Sequence, residues 1–199
     1  MGREWVKQRK HDRYYRAAKR QAYRSRSAIK LSQLDARYRI FSGGDVVVDL
    51  GAAPGGWSQI ARERIGPRGR VISIDLAPMA PLEGVELVRG DFTKTEAQAT
   101  LFELLGKPAD VVMSDMAPKL SGARSYDEAR TLELAEATLG FAMRALRPGG
   151  TLLVKVFQGE GYRGFLDRVR TRFEAAKGVK PSASTRESAE IYVLALGKS

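Results

Sequence analysis

The sequence of 199 residues predicts an α/β fold: a doubly wound, mostly parallel seven-stranded sheet with an antiparallel C-terminal hairpin. Three observations carry this expectation. Short β-branched runs alternate with segments of helical length and periodicity, the pattern of repeated strand–helix–strand units. The first run breaks on a glycine-rich loop, on the side where an open parallel sheet presents its ligand. The last two extended segments have no helix between them, so they read as an antiparallel pair at one edge.

Residues 1–40 read as helix, with Trp5, Tyr14, Tyr15, Ala18, Ala22 and Tyr23 spaced among charged positions, and the chain changes character at Asp45. Val46-Val47-Val48-Asp49-Leu50 is a β-branched run ending in glycines. Residues 58–64 follow as helix and 70–75 as the second strand, which completes one β-α-β unit. A strand near 85–88, a helix near 96–105 and a strand over 109–114 continue the alternation. A long helical pattern over 128–146 is closed by Pro148-Gly149-Gly150. Residues 151–157 form the fifth strand and 162–173 the last helix; extended segments near Val179 and over 191–196 make the hairpin. This order of elements is Rossmann-like. We read one structural domain, with a basic helical segment over 1–40 leading into the α/β part over 41–199.

The formal charge is +11, from 34 basic and 23 acidic residues. Residues 1–40 hold thirteen of the basic residues and three of the acidic ones, so almost the whole excess lies in one segment. Such asymmetry predicts a docking surface for nucleic acid, although any single charge in it can equally be a solvated one. With no cysteine, disulfides, thiolate metal sites and cysteine nucleophiles are excluded, and a cytoplasmic setting is favoured. The charged N-terminus does not read as a signal peptide, and no apolar run is long enough to span a membrane. The lone His11 is assigned no role.

The candidate chemistry sits at the strand ends. Asp49, Gly51 and Gly55 make Asp-x-Gly-x-x-x-Gly, which differs from the Gly-x-Gly-x-x-Gly of dinucleotide-binding proteins. Glycines let backbone amides approach a ligand, and Asp75 at the end of the second strand can accept from ribose hydroxyls. Both fit an adenosyl cofactor, with Trp57 read either as part of that site or as core packing. Asp91 closes the third strand beside Phe92, either to accept from an adenine amine or to cap the next helix. The fourth strand delivers Ser114-Asp115-Met116-Ala117-Pro118, which lacks the Asn/Asp-Pro-Pro-Tyr/Phe signature of exocyclic-amine methylation. Carbon-5 pyrimidine methylation needs a cysteine, and there is none. Lys155 interrupts a buried run, where it must either snorkel out or find acidic partners that let it act as a base.

These stretches resemble the FtsJ (RrmJ-type) family of ribosomal RNA 2'-O-ribose methyltransferases. The resemblance rests on residues 23–31, 49–59, Gly90-Asp91-Phe92, 114–118, 155–159 and 188–192. It implies a class I S-adenosylmethionine (SAM)-dependent methyltransferase with a catalytic tetrad of Lys30, Asp115, Lys155 and Glu190. It also implies cofactor contacts from Gly55, Trp57, Asp75, Asp91 and Asp115, to which we add Gly51, Pro54, Gly56 and Phe92. Ser27 and Ile29 depart from the family pattern of a small residue and an aromatic ahead of the first lysine. The expected reaction is SAM-dependent methylation of a ribose 2'-hydroxyl of a uridine in large-subunit ribosomal RNA. In it Lys155 takes the proton, Asp115 orients it, and Lys30 and Glu190 hold the nucleophile. No metal and no membrane are expected to take part, and we expect a monomer. Arg9, Arg13, Arg16, Lys19, Arg20, Arg24 and Arg26 are the expected RNA-docking residues. Transfer RNA or messenger RNA cap 2'-O-methylation is the same chemistry, and a non-catalytic RNA-binding ribosome-assembly factor is the rival of another class.

Overall fold

The computed structural model describes residues 23–118, 121–185 and 188–199. Its elements in chain order are α1 (Ser27–Tyr38), β1 (Val46–Leu50), α2 (Gly56–Ile65), β2 (Arg70–Asp75), β3 (Val85–Arg89), α3 (Thr95–Leu105) and β4 (Ala109–Ser114). There follow α4 (Arg124–Ala145), β5 (Leu146–Phe157), α5 (Tyr162–Arg170), β6 (Phe173–Val179) and β7 (Glu190–Lys198).

The strands form one seven-stranded sheet in the order β3-β2-β1-β4-β5-β7-β6. The first five pair parallel; a helix crosses back between β1 and β2, β3 and β4, and β4 and β5, while a loop joins β2 to β3. β7 pairs antiparallel with both β5 and β6. The expected hairpin is therefore present, with its second strand inserted between β5 and the edge strand β6. The topological switch point falls between β1 and β4, and a doubly wound sheet binds its ligand outside the carboxyl ends of such strands.

Strand alternation sorts the core into two layers. Val46, Val48 and Leu50 of β1, with Val154 and Val156 of β5, pack under α3, α4 and α5. Val47 of β1, Leu153 of β5 and Tyr192 and Leu194 of β7 pack on the opposite face under α1 and α2. Asp49 and Lys155 share this second face by the same alternation, which puts a buried carboxyl and a buried amine beneath α1 and α2.

The largest boundary differences from the sequence expectation are at α1, at the α4–β5 junction and at α5. Within 1–40 the helix that the structure describes begins only at Ser27 and ends at Tyr38, where Arg39 turns left-handed (φ 53°) and closes on Asp35 O; residues 1–22 lie outside the described residues. α4 begins four residues earlier than expected, and its end passes directly into β5 at Leu146. Pro148-Gly149-Gly150 therefore lies inside an extended stretch, at a register break between the pairs Ala109–Leu146 and Val111–Thr151. α5 ends at Arg170, and Phe173 opens β6 because its side chain is needed in the core.

Candidate active site

A cleft of about 690 Å³ opens at the carboxyl ends of β1 to β4, walled on one side by α4. Gly51, Asp75, Asp91, Phe92 and Asp115 line it, together with Tyr126. Gly51 has φ +77°, and a Cβ there would fall 2.3 Å from Met116 Cγ, so the chain can turn off β1 beneath the β4 loop only with glycine. Asp75 is fixed by its own neighbourhood: Oδ2 accepts from Ala53 N (2.9 Å) and Oδ1 from Ala77 N (2.7 Å).

Asp91 Oδ1 accepts from both Thr93 N (3.0 Å) and Thr93 Oγ1 (2.7 Å), and those bonds hold its carboxyl below the usual range. Its side chain therefore organises the turn before α3, which has Lys94 at its N-cap and no side-chain cap bond. Phe92 is buried and meets Phe141 edge-on at 5.5 Å, so it forms the floor of the cleft as well as part of the core.

Pro54, Gly55, Gly56 and Trp57 are not among the residues lining this cleft. Gly55, Gly56 and Trp57 face the segment that leads into α1. A Cβ on Gly55 (φ +104°) would lie 3.1 Å from the Arg24 guanidinium, and one on Gly56 would lie 2.1 Å from Ser25 Oγ. Trp57 is buried, donates Nε1–H to Ser27 O (3.0 Å) and packs its ring 5.5 Å from that of Tyr192. The glycine loop thus has two faces, one toward the cleft and one that seats α1, the helix carrying Lys30.

Lys30, Asp115, Lys155 and Glu190 come together although they are far apart in sequence. Lys155 leaves β5 with only 6 % exposure, so it does not snorkel. Its Nζ donates to Asp115 O (2.5 Å) and Asp115 Oδ1 (3.1 Å), and lies 3.8 Å from Glu190 Oε1. Lys30 Nζ donates to Glu190 Oε2 at 2.8 Å. Burial works against the charge on Glu190, but Lys30 and then Lys155 more than offset it, with help from the Ser188 hydroxyl, and hold the carboxyl below its ordinary range. Each cation has a carboxylate and each carboxylate a cation, which is what makes burial of four ionisable groups tolerable.

Tyr192 is the residue that sequence reading passed over. It is fully buried, stands directly across the β5–β7 ladder from Lys155, and donates its hydroxyl to Asp115 Oδ1 at 2.8 Å. The signal was there: two residues after Glu190 on the same strand, it had to share that residue's face. Of the expected RNA-docking residues, Arg9, Arg13, Arg16, Lys19 and Arg20 lie outside the described residues. Arg24 is engaged within the fold, donating Nη1–H to Ala80 O and Nη2–H to Pro81 O, both at 2.6 Å. It ties the β2–β3 loop to the glycine turn. Arg26 closes the turn that enters α1.

The sheet order and the cleft at its switch point are those of the class I α/β methyltransferase architecture, with a two-lysine, two-carboxylate cluster beside the cleft. The FtsJ-like methyltransferase family profile matches residues 23–198, and the chain belongs to that family. Among curated relatives, the ribosomal RNA large subunit methyltransferase E of Methanobrevibacter smithii is 44 % identical, over 98 % of this chain and 94 % of its own length. The protein of the same description from Azoarcus sp. is 48 % identical, over 96 % of this chain and 93 % of its own length. A crystal structure from Plasmodium falciparum assigned as a ribosomal RNA methyltransferase superposes with a TM-score of 0.80 at 28 % identity, covering 88 % of this chain and 98 % of that one.

Proposed function

We propose that this protein transfers the methyl group of S-adenosylmethionine to the 2'-hydroxyl of a ribose, that of a uridine in large-subunit ribosomal RNA. One observation carries the reading: Asp115 belongs at once to the wall of the nucleoside-sized cleft and to the lysine–carboxylate cluster. A methyl donor held on one side of it and an acceptor hydroxyl on the other would meet there.

The cleft suits the cofactor. Its volume lies in the range of small-molecule sites, and Asp75 and Asp91 offer carboxylates at adjacent strand ends, where ribose hydroxyls and an adenine amine would donate. Gly51 brings backbone close, and Phe92 provides an apolar floor. When bound, the cofactor supplies an already activated methyl group on a sulfonium centre, so this chain's own task is to orient the acceptor and take its proton.

Lys155 fits that task. A neutral amine has two N–H bonds and one lone pair, and the two contacts to Asp115 account for both N–H bonds. The third direction is left to accept the proton of a ribose hydroxyl. Glu190, held ionised, fixes Lys30 at the rim of the cluster, where its ammonium can donate to the acceptor oxygen. No step requires more than one proton to move. The names of the curated relatives favour ribosomal RNA over transfer RNA or a messenger RNA cap as the acceptor, and the complete tetrad speaks against a non-catalytic role.

The test is methyl transfer from labelled cofactor to ribosomal particles from cells that lack the protein, with the modified nucleotide mapped. A ribose-methylated uridine in the large subunit is expected. A base-methylated product, or no product on any RNA, would sink the reading.

A further inference from the structure

At the centre of the cluster lies a side chain with no role in the reaction as described above. Tyr192 has no solvent exposure, yet its hydroxyl is not idle. It donates to Asp115 Oδ1 (2.8 Å), the same oxygen that takes Lys155 Nζ (3.1 Å). Lys30 Nζ sits 5.8 Å from the centroid of the tyrosine ring, within cation–π range. Trp57, itself tied to Ser27 O at the start of α1, packs its ring 5.5 Å from that of the tyrosine. One side chain therefore touches members of the cluster from three elements: Lys30 of α1, Asp115 after β4, and Lys155 as its cross-strand partner on β5.

We propose that Tyr192 is a positioning residue that shares the Asp115 carboxylate with Lys155 and thereby sets how readily Lys155 gives up its proton. This deepens the reaction proposed above and rests on it. A carboxylate oxygen that already accepts a neutral hydroxyl draws less strongly on an ammonium beside it. Without the hydroxyl, Asp115 leans on Lys155 alone and the charged amine is favoured. The phenol stays a donor throughout: burial, and then the negative charges of Asp115 and Glu190, push its pKa well above the ordinary tyrosine value. The charged groups around the cluster are Lys30 from α1, Asp115 from the end of β4, Lys155 from β5 and Glu190 from β7. Asp49 of β1 lies behind Asp115, close enough for the two carboxyl groups to influence one another.

Tyr192→Phe keeps the ring, its stacking on Trp57 and the cation–π contact, and deletes only the donor. The expected result is a pH–rate profile for kcat whose rising limb moves about one unit to higher pH. The rate then falls about tenfold near neutrality and recovers to the unaltered protein's value at high pH, with KM for RNA and the Kd for SAM unchanged. A residue that merely supports the fold would lower the rate at every pH. An unshifted limb, or a loss that alkaline pH does not restore, overturns the proposal. A second measurement does not depend on turnover: the titration of the Lys155 side chain, followed by NMR on selectively labelled lysine, must move upward in Tyr192→Phe. If the unaltered protein methylates no RNA, the ribose reading fails by itself, while the lysine titration still decides whether Tyr192 governs Lys155. An unmoved titration overturns the coupling even where activity is present.

Discussion

Asp115 joins two neighbourhoods that would otherwise be separate. The residue lines the cleft, its carboxylate receives Lys155 and Tyr192, and its backbone oxygen receives Lys155 as well. Replacing Lys155 by alanine should lower single-turnover methyl transfer by about a thousandfold, in the range for general-base catalysis, while SAM binding measured by calorimetry stays intact. Equal loss of both would place Lys155 in the cofactor site instead. Asp49 makes a different prediction. It is fully buried, Ser58 Oγ donates to its Oδ2 at 2.6 Å, and among the described residues Oδ1 has no partner. Burial above all pushes its pKa up from 3.8 to about 7. Between those values the folded chain keeps a proton that the unfolded chain releases. The contribution of Asp49 to stability therefore falls as pH rises from about 4 to about 7, and falls no further above that. Denaturant melts across this window should show the slope in the unaltered protein and lose this component of it in Asp49→Asn.

Among the elements, the strands were the most legible, because buried parallel strands are nearly continuous β-branched runs with glycine at their ends. β1, β2 and β4 have the boundaries expected from sequence. Helix ends were less so. α4 starts at Arg124 because Asp127 accepts from Ser121 and Gly122 and gathers the preceding turn onto the helix, a contact no periodicity announces. Within the glycine loop Gly51 borders the cleft, while Gly55 to Trp57 also pack against the segment that leads into α1, a contact that no local pattern announces. Gly51→Ala would force a Cβ to 2.3 Å from Met116 Cγ at a positive φ, and should destabilise the protein by roughly 2–4 kcal/mol. Urea denaturation would register that loss, and a change below about 0.5 kcal/mol would mean that the loop repacks freely.

At the scale of the whole molecule, charge and chemistry are divided along the chain. Residues 1–22 carry eight basic residues against two acidic ones, whereas the tetrad draws on residues from 30 to 190. On the proposed function, replacing Arg13, Arg16, Lys19 and Arg20 by glutamine should weaken RNA binding for every sequence tested. It should also flatten the salt dependence by about 0.7 in slope for each residue that touches a phosphate, with SAM affinity unchanged. Binding titrations at several salt concentrations would read both effects, and an unchanged slope would remove those residues from the interface. The sequence by itself determined the class of fold, the glycine turn and the strand-end carboxylates, because each is a local pattern, and its resemblance to the FtsJ family pointed to the four cluster residues. Tertiary structure alone decided that β7 inserts between β5 and β6, which brings Glu190 and Tyr192 against Lys155. It likewise decided that Arg24 and the glycine turn hold α1 in place, and that a tyrosine stands beneath Lys30 and donates to Asp115. Strand order and side-chain partnership depend on contacts between residues far apart in the chain, and those contacts exist only once the core has closed around them.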